Sequence, residues 1–183
     1  MRIKTLTSTI LLAAVLGGCA STEPNLLTAG ALPLEGPVDV RWEDPNAFSE
    51  FRLNQDRWQA SREGWLQVLA GHLRSASAAE LQPGQQLQLT IVDVDRAGGF
   101  EPWLGPDYDD VRIMRDIYPP RMTVRYVLRD AGGATVSEGE ARLSDPTYLT
   151  STAVRLNSDP LRYEKQMIDT WVMREFGRRN AGR

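Results

Sequence analysis

The chain is poor in the residues that usually carry chemistry. It holds one cysteine, Cys19, and one histidine, His72. A single thiol leaves no intramolecular disulfide to brace the fold, so the hydrophobic core must suffice alone. His72 lies three residues from Leu69 and beside Leu73 in a helical pattern. With no second histidine nearby, it reads as a structural or solvated side chain rather than a metal ligand or a base. A serine nucleophile would have to borrow that same histidine, and no G-x-S-x-G turn stands in the sequence. A phosphate-binding loop and a dinucleotide fingerprint are absent as well. No cofactor is implied.

Long apolar runs are also missing. The longest, TLTSTILLAAVLG at positions 5–17, is well short of the ~20 residues a helix needs to cross a bilayer. It follows the basic MRIK and precedes Leu16-Gly17-Gly18-Cys19. A basic start, a short apolar stretch and small residues before a cleavage point describe an export signal. LGGC looks like a bacterial lipobox, in which the cysteine is acylated and becomes the new N-terminus. Each buried methylene is worth ~0.8 kcal/mol, and two or more chains hold a protein on a membrane stably. Ala20 and Ser21 follow the cysteine, with no aspartate to favour inner-membrane retention under the enterobacterial sorting rule. The expectation is a signal over 1–18, lipidation at Cys19, and residence at the outer membrane facing the periplasm.

An excess of positive charge is the third absence. Cleavage would remove Arg2 and Lys4, leaving 19 basic and 24 acidic side chains. That balance argues against nucleic-acid binding, which rests on phosphate neutralisation by Lys and Arg. The terminal GRRNAGR is the one basic cluster, and residues 178–183 read as a frayed solvated tail. Removing 18 residues from 183 leaves 165, enough for one domain and thin for two. Residues 19–37 hold three prolines and two glycines without sustained periodicity, which describes a tether of ~25 Å. Leu26, Leu27, Leu32 and Leu34 are candidates to dock on the domain.

The remainder, 38–177, patterns as alternating strands and two amphipathic helices. VDVRW (38–42), QQLQLTIVDVD (85–95), RMTVRYVLRD (121–130) and TVSEGEARLSD (135–145) alternate as strands do, and VRIMRDIY (111–118) is a weaker candidate. After Asn54 as N-cap, Trp58, Trp65, Leu69 and Leu73 form one helical stripe, closed by Pro83-Gly84. Asp159 and Pro160 open a second helix that Gly177 stops. Its stripe, Leu161, Glu164, Ile168, Trp171, Val172 and Phe176, is broken only by the glutamate. Met167 and Met173 read as packing residues. So do Trp42, Trp58, Trp65 and Trp171. Together these elements predict an α+β, two-layer sandwich: a mostly antiparallel sheet of four to five strands with both helices on one face.

What is abundant is charge in one short stretch. Between 91 and 121 stand seven carboxylates (Asp93, Asp95, Glu101, Asp107, Asp109, Asp110 and Asp116) and four arginines (Arg96, Arg112, Arg115 and Arg121). Leu87, Leu89, Ile91, Asp93 and Asp95 should share one strand face, so an apolar stripe turns acidic at the sheet rim. DVDRAG opens like an EF-hand, but Ala97 and Leu104 occupy positions where ligands are needed, and that reading fails. A looser oxygen-ligand cation site using Asp93, Asp95 and Asp107, Asp109 or Asp110 stays open. So does a paired-carboxylate hydrolase, which needs two carboxyls about 5 Å or about 6.5–9.5 Å apart. Trp103 and Tyr108 suit a sugar-binding surface or a loop anchor equally. The favoured reading is a rim-mounted loop organised by arginine–aspartate pairs, stiffened by Pro102, Pro106, Pro119 and Pro120, and available to a partner.

Several segments together resemble domain of unknown function 3016, a family of bacterial exported proteins: VDVRWEDPNAF, IVDVDRAG, DDVRIMRDIYPPRMTVRYVL, GEARLSD and LRYEKQMIDTWVMREF. The resemblance covers roughly residues 38–176 in order and spacing. It transfers no activity and no catalytic or binding residue. Three functions stand open from sequence: a non-catalytic envelope lipoprotein with a protein or cell-wall partner, a periplasmic hydrolase using the 93–116 carboxylates, and capture of a small ligand between sheet and helices near Trp103. The oligomeric state is not legible.

Overall fold

The computed structural model describes residues 28–53, 64–109 and 111–177. Cys19, the signal, Asn54, Trp58, Asp110 and the basic tail lie outside the described residues. Five strands form one open sheet in the order β1-β2-β3-β6-β7. These are β1 (Gly30–Ala31), β2 (Val38–Trp42), β3 (Gln86–Asp95), β6 (Arg121–Arg129) and β7 (Thr135–Ser144). Between β3 and β6 a separate two-stranded ribbon joins β4 (Gly99–Phe100) to β5 (Arg112–Ile113). Among the described strands only β2 and β3 run parallel. A parallel pair needs a crossover, and here it carries α1 (Ser49–Leu53) and α2 (Trp65–Glu80). After β7 come α3 (Thr152–Leu156) and α4 (Arg162–Val172), which runs on into a wider π-type turn over Met173–Gly177.

Strand alternation decides what is buried. Val38, Val40, Leu87, Leu89, Ile91, Met122, Val124, Tyr126 and Leu128 point to one face and are buried. Their neighbours Gln86, Gln88, Arg121 and Arg125 point to the other and are exposed, as a sheet solvated on one side requires. Trp65, Leu66, Leu69 and Leu73 of α2 cover the inner face together with Met167, Ile168, Trp171 and Val172 of α4. Tyr126 meets the edges of Trp171 and Phe176 at centroid distances of 6.1 and 5.7 Å. Across the helix pair, His72 Nε2 and Asp169 Oδ1 share a 2.7 Å hydrogen bond. The chain is the expected α+β two-layer sandwich, with both long helices on one face.

Several expectations are corrected. Gly30 and Ala31, placed in the tether, belong to the sheet as β1, paired with the end of β2, while Leu32 packs on the core as a docking candidate should. Gly30 lies on the Trp42 indole so closely that a Cβ would come within 2.7 Å of it. Leu34 is exposed and does not dock. The 111–118 segment contributes only Arg112–Ile113, to the small ribbon rather than the main sheet. α2 begins at Trp65 after Gly64, whose φ of 57° marks a left-handed N-cap. α4 begins two residues beyond Pro160, although Asp159 still caps the turn by accepting from the Leu161 amide at 2.8 Å. Met173 is 64% exposed and is no packing residue.

The alternation of β3 breaks inside the acidic stretch. Ile91 pairs with Val124 while Asp93 pairs with Thr123, so Val92 is one residue too many. Such a bulge swaps the faces of everything after it. Val94, not Asp93 or Asp95, continues the buried stripe. The expectation that Asp93 and Asp95 share the face of Leu87, Leu89 and Ile91 is overturned.

Candidate functional site

The bulge aims Asp93 sideways, past the end of β2. Its two oxygens accept from the Ser49 amide at 2.6 Å and the Ser49 hydroxyl at 2.8 Å. Asp93 thereby caps α1 from a distance in sequence, supplying the acceptor that the first helical N–H needs. The next residue, Glu50, is carried under the turn that follows β3.

Glu50 has no exposed surface. Its Oε1 accepts from Arg96 Nε at 3.1 Å, from Arg96 Nη2 at 2.9 Å, and from Arg112 Nη2. Its Oε2 accepts from the Arg96 backbone N–H at 2.9 Å. Burial alone would raise the Glu50 pKa, but the Arg112 and Arg96 guanidiniums outweigh it and hold the carboxyl below its ordinary value. A buried carboxylate is stable only when paired and hydrogen-bonded in this manner. Each arginine also lies over a ring, Arg96 at 4.9 Å from the Trp65 centroid and Arg112 at 4.8 Å from Phe100.

The turn is gripped from its other side too. Arg112 Nη1 donates to the carbonyls of Arg96, Ala97 and Gly98 at 3.4, 3.3 and 3.0 Å. The Ala97 amide donates to Glu164 Oε1 of α4 at 2.7 Å. Glu164 is therefore the buried answer to the one break in that helix's apolar stripe. Its second oxygen, Oε2, has no hydrogen-bond partner among the described residues. Burial pushes the Glu164 carboxyl above its ordinary value, and the Ala97 bond only partly offsets that. Gly98 completes the turn at φ 82°, where a Cβ would come within 2.9 Å of Arg112 Cγ and Met114 Sδ.

A second clasp holds the far end of the loop. Glu101 is buried and accepts from Arg115 Nη2 at 2.7 Å and the Tyr118 hydroxyl at 3.1 Å. The Arg115 carbonyl accepts from the Tyr148 hydroxyl at 2.6 Å. Tyr148 stands edge-on to Tyr163 at 4.8 Å in a small satellite core with Ala97. Burial, then Tyr163, pushes the Tyr148 hydroxyl up to about 12.

The expected arginine–aspartate loop thus becomes chiefly an arginine–glutamate one. Among the described residues, Arg96 and Arg112 go to Glu50, Arg115 goes to Glu101, and Arg121 meets an aspartate, Asp95, at 3.2 Å. Burial, and then the nearby Glu50 charge, raises the Asp95 pKa. Asp107, Asp109 and Asp116 are exposed and make no side-chain ion pair among the described residues. Three of the other acids in this stretch are already engaged. Asp93 is held by Ser49, Asp95 by Arg121, and Glu101 by Arg115 and Tyr118. Nor do three or more His, Cys, Asp or Glu side chains cluster as a metal site among the described residues.

What the clasps hold outward is apolar. Trp103 is 71% exposed and Ile117 64%, with Leu104, Tyr108, Val111 and Met114 exposed beside them in sequence. Six of the eleven exposed large apolar residues described in the whole chain fall within 103–117. No other stretch of the described residues holds so many exposed large apolar side chains.

Sequence reasoning named Asp93, Asp95, Trp103 and the four arginines but missed Glu50. Its one signal is a lone acid inside the aromatic FSEF.

A family model described as "Protein of unknown function (DUF3016)" matches residues 36–174, most of the chain. The chain belongs to that family. Within the DUF3016 match lie Glu50, Arg96, Arg112, Glu101 and Glu164. Neither a curated protein nor a solved structure matches the chain. Among the described residues, no helix of this DUF3016 domain is long and apolar enough to cross a membrane.

Proposed function

We propose that this protein is a lipid-anchored binding module of the cell envelope, acylated at Cys19, held at the outer membrane and facing the periplasm. In this reading it is non-catalytic, and the loop from Gly99 to Tyr118 is the surface its partner reads. The N-terminal sequence supports the anchor: a basic start, a short apolar run and Leu16-Gly17-Gly18-Cys19. The observation that carries the binding role is the exposed apolar set of 103–117, mounted on a frame of arginines paired to the buried carboxylates Glu50 and Glu101. A surface held in shape before contact loses less conformational entropy on association.

Charge says what the partner is. Asp107, Asp109 and Asp116 stand exposed among Trp103, Tyr108 and Ile117, with no cation pairing them among the described residues. The complement is an envelope protein offering an apolar patch edged by lysine or arginine. An acidic loop is a poor match for anionic lipid.

The rival hydrolase reading needs two free carboxylates across one substrate, and no observation favours it. The test is site-specific photocrosslinking in the native host, with the probe in place of Trp103. One envelope protein should be captured, and Cys19→Ala should move the protein from the membrane fraction to the soluble periplasm. Failure to capture any protein from position 103, with capture from a control position on the sheet, would remove the reading.

A further inference from the structure

A second site lies on the opposite side of α4 from the Glu164 clasp. A cleft of about 310 Å³ opens between that helix and the chain leaving β7, at the lower end of the range for small-molecule sites. Its floor is apolar: Leu143, Met167 and Trp171 line it and are themselves buried. One wall is a single polar row on α4 and its terminal turn, Gln166, Thr170 and Arg174, spaced by four so that they stack along one face. The facing wall is the stretch from Ser144 to Ser151.

The hydrogen bonds inside these walls fix what they present outward. Thr147 spends its hydroxyl proton on Asp145 Oδ1 at 2.9 Å. Thr150 spends its own on the Thr147 carbonyl at 2.7 Å, and Thr170 on the Gln166 carbonyl at 2.8 Å. A hydroxyl has one proton and two lone pairs, so these three groups keep only acceptor capacity, one lone pair of Thr170 being taken by Gln166 Nε2 at 3.4 Å. Asp145 adds a carboxylate in contact with no cation among the described residues. Arg174 is the one cation in the lining. Its guanidinium makes no ion pair or hydrogen bond among the described residues, and it closes one end of the polar row.

We propose that this cleft binds an acidic saccharide, whose ring hydroxyls donate to the acceptor walls while its carboxylate pairs with Arg174. Several acceptors spread over two walls suit hydroxyl donors disposed around a ring better than one point charge. A lone guanidinium suits a carboxylate, which it can grip by two parallel N–H donors. The apolar floor takes the C–H face of the sugar. The site depends neither on the lipid anchor nor on the 99–118 loop.

The test is calorimetric titration of the full chain, purified in detergent, with glucuronate and with glucose as an acid-bearing and acid-free pair. Glucuronate should bind at least about tenfold tighter, the scale of one charge-assisted hydrogen bond. Arg174→Gln should erase that preference while leaving the unfolding midpoint unchanged, because the side chain is exposed. Thr170→Val should weaken both sugars. Equal affinity for the two sugars, no saturation by either, or a preference that survives Arg174→Gln would each overturn the proposal. So would saturation by glycylglycine in place of both sugars.

Discussion

Glu50 and Arg112 meet across 62 residues of sequence, beneath a turn that neither belongs to. Arg112 then reaches on to three successive carbonyls of that turn. This one contact ties α1, the end of β3 and the ribbon strand β5 into a single mount for the exposed loop. Removing one partner of a buried pair leaves the other charge stranded, a cost of about 3–5 kcal/mol. Glu50→Ala strands two guanidiniums. It should lower the unfolding free energy measured in urea by that order, and Glu50→Gln should lose much of the same stability. A change under about 1 kcal/mol would mean the network is wet rather than buried.

The two buried glutamates on the turn have opposite pH signatures. Glu50 is held below its ordinary value of 4.5, so its contribution is present above that pH and is lost as pH falls through the lower folded value. Glu164 is raised above 4.5, so the folded state keeps its proton longer than the unfolded state does. Its presence therefore costs stability as pH rises from about 4.5 through the raised folded value. Glu164→Gln keeps an acceptor for the Ala97 amide and removes the titration. It should raise stability at pH 8 by about 1 kcal/mol, with little effect at pH 4. Urea unfolding of both proteins at the two pH values checks the sign, and a larger gain at acid pH would contradict it.

Gly98→Ala probes the turn itself. The backbone at φ 82° disfavours an L side chain, and the new methyl would strike Arg112 and Met114. The expected loss is about 1–3 kcal/mol. Amide hydrogen exchange should place it locally, with protection lost first at Gly98, Tyr118 and the β4–β5 ribbon. Uniform loss across β2, β3 and β6 would show that the turn belongs to the global core instead.

How much of this was legible follows from range. The strands were readable because alternation is local: Leu87, Leu89 and Ile91, or Met122, Val124, Tyr126 and Leu128, declare their faces within one segment. The second helix was readable from Asp159, Pro160 and Gly177. The bulge at Val92 was not, because it is a matter of register against β6 and leaves no mark within β3. That single extra residue reversed the reading of Asp93 and Asp95. Arginine partners were equally hidden: Arg96 has acids one and three positions away, yet it pairs with Glu50, 46 residues off. Neighbouring aspartates were close in sequence and far from the right geometry. Glu164 left a legible trace, a polar break in an apolar stripe, without indicating what it would hold.

The exposed loop separates binding from folding. Trp103 and Ile117 contribute little to the core, since most of each side chain is already in water. Substituting them should leave stability within about 0.5 kcal/mol of the parent. If they are the anchors of a protein interface, their loss should cost binding about 2 kcal/mol or more, because buried aromatic anchors dominate such contacts. Trp103→Ser and Ile117→Ser, measured first by urea unfolding and then by co-purification from crosslinked cells, set the two effects apart. Unchanged folding with loss of the captured envelope protein is the expected pair of results. Unchanged folding with undiminished capture would move the interface elsewhere, since no other large apolar side chain described in 103–117 is as exposed as these two.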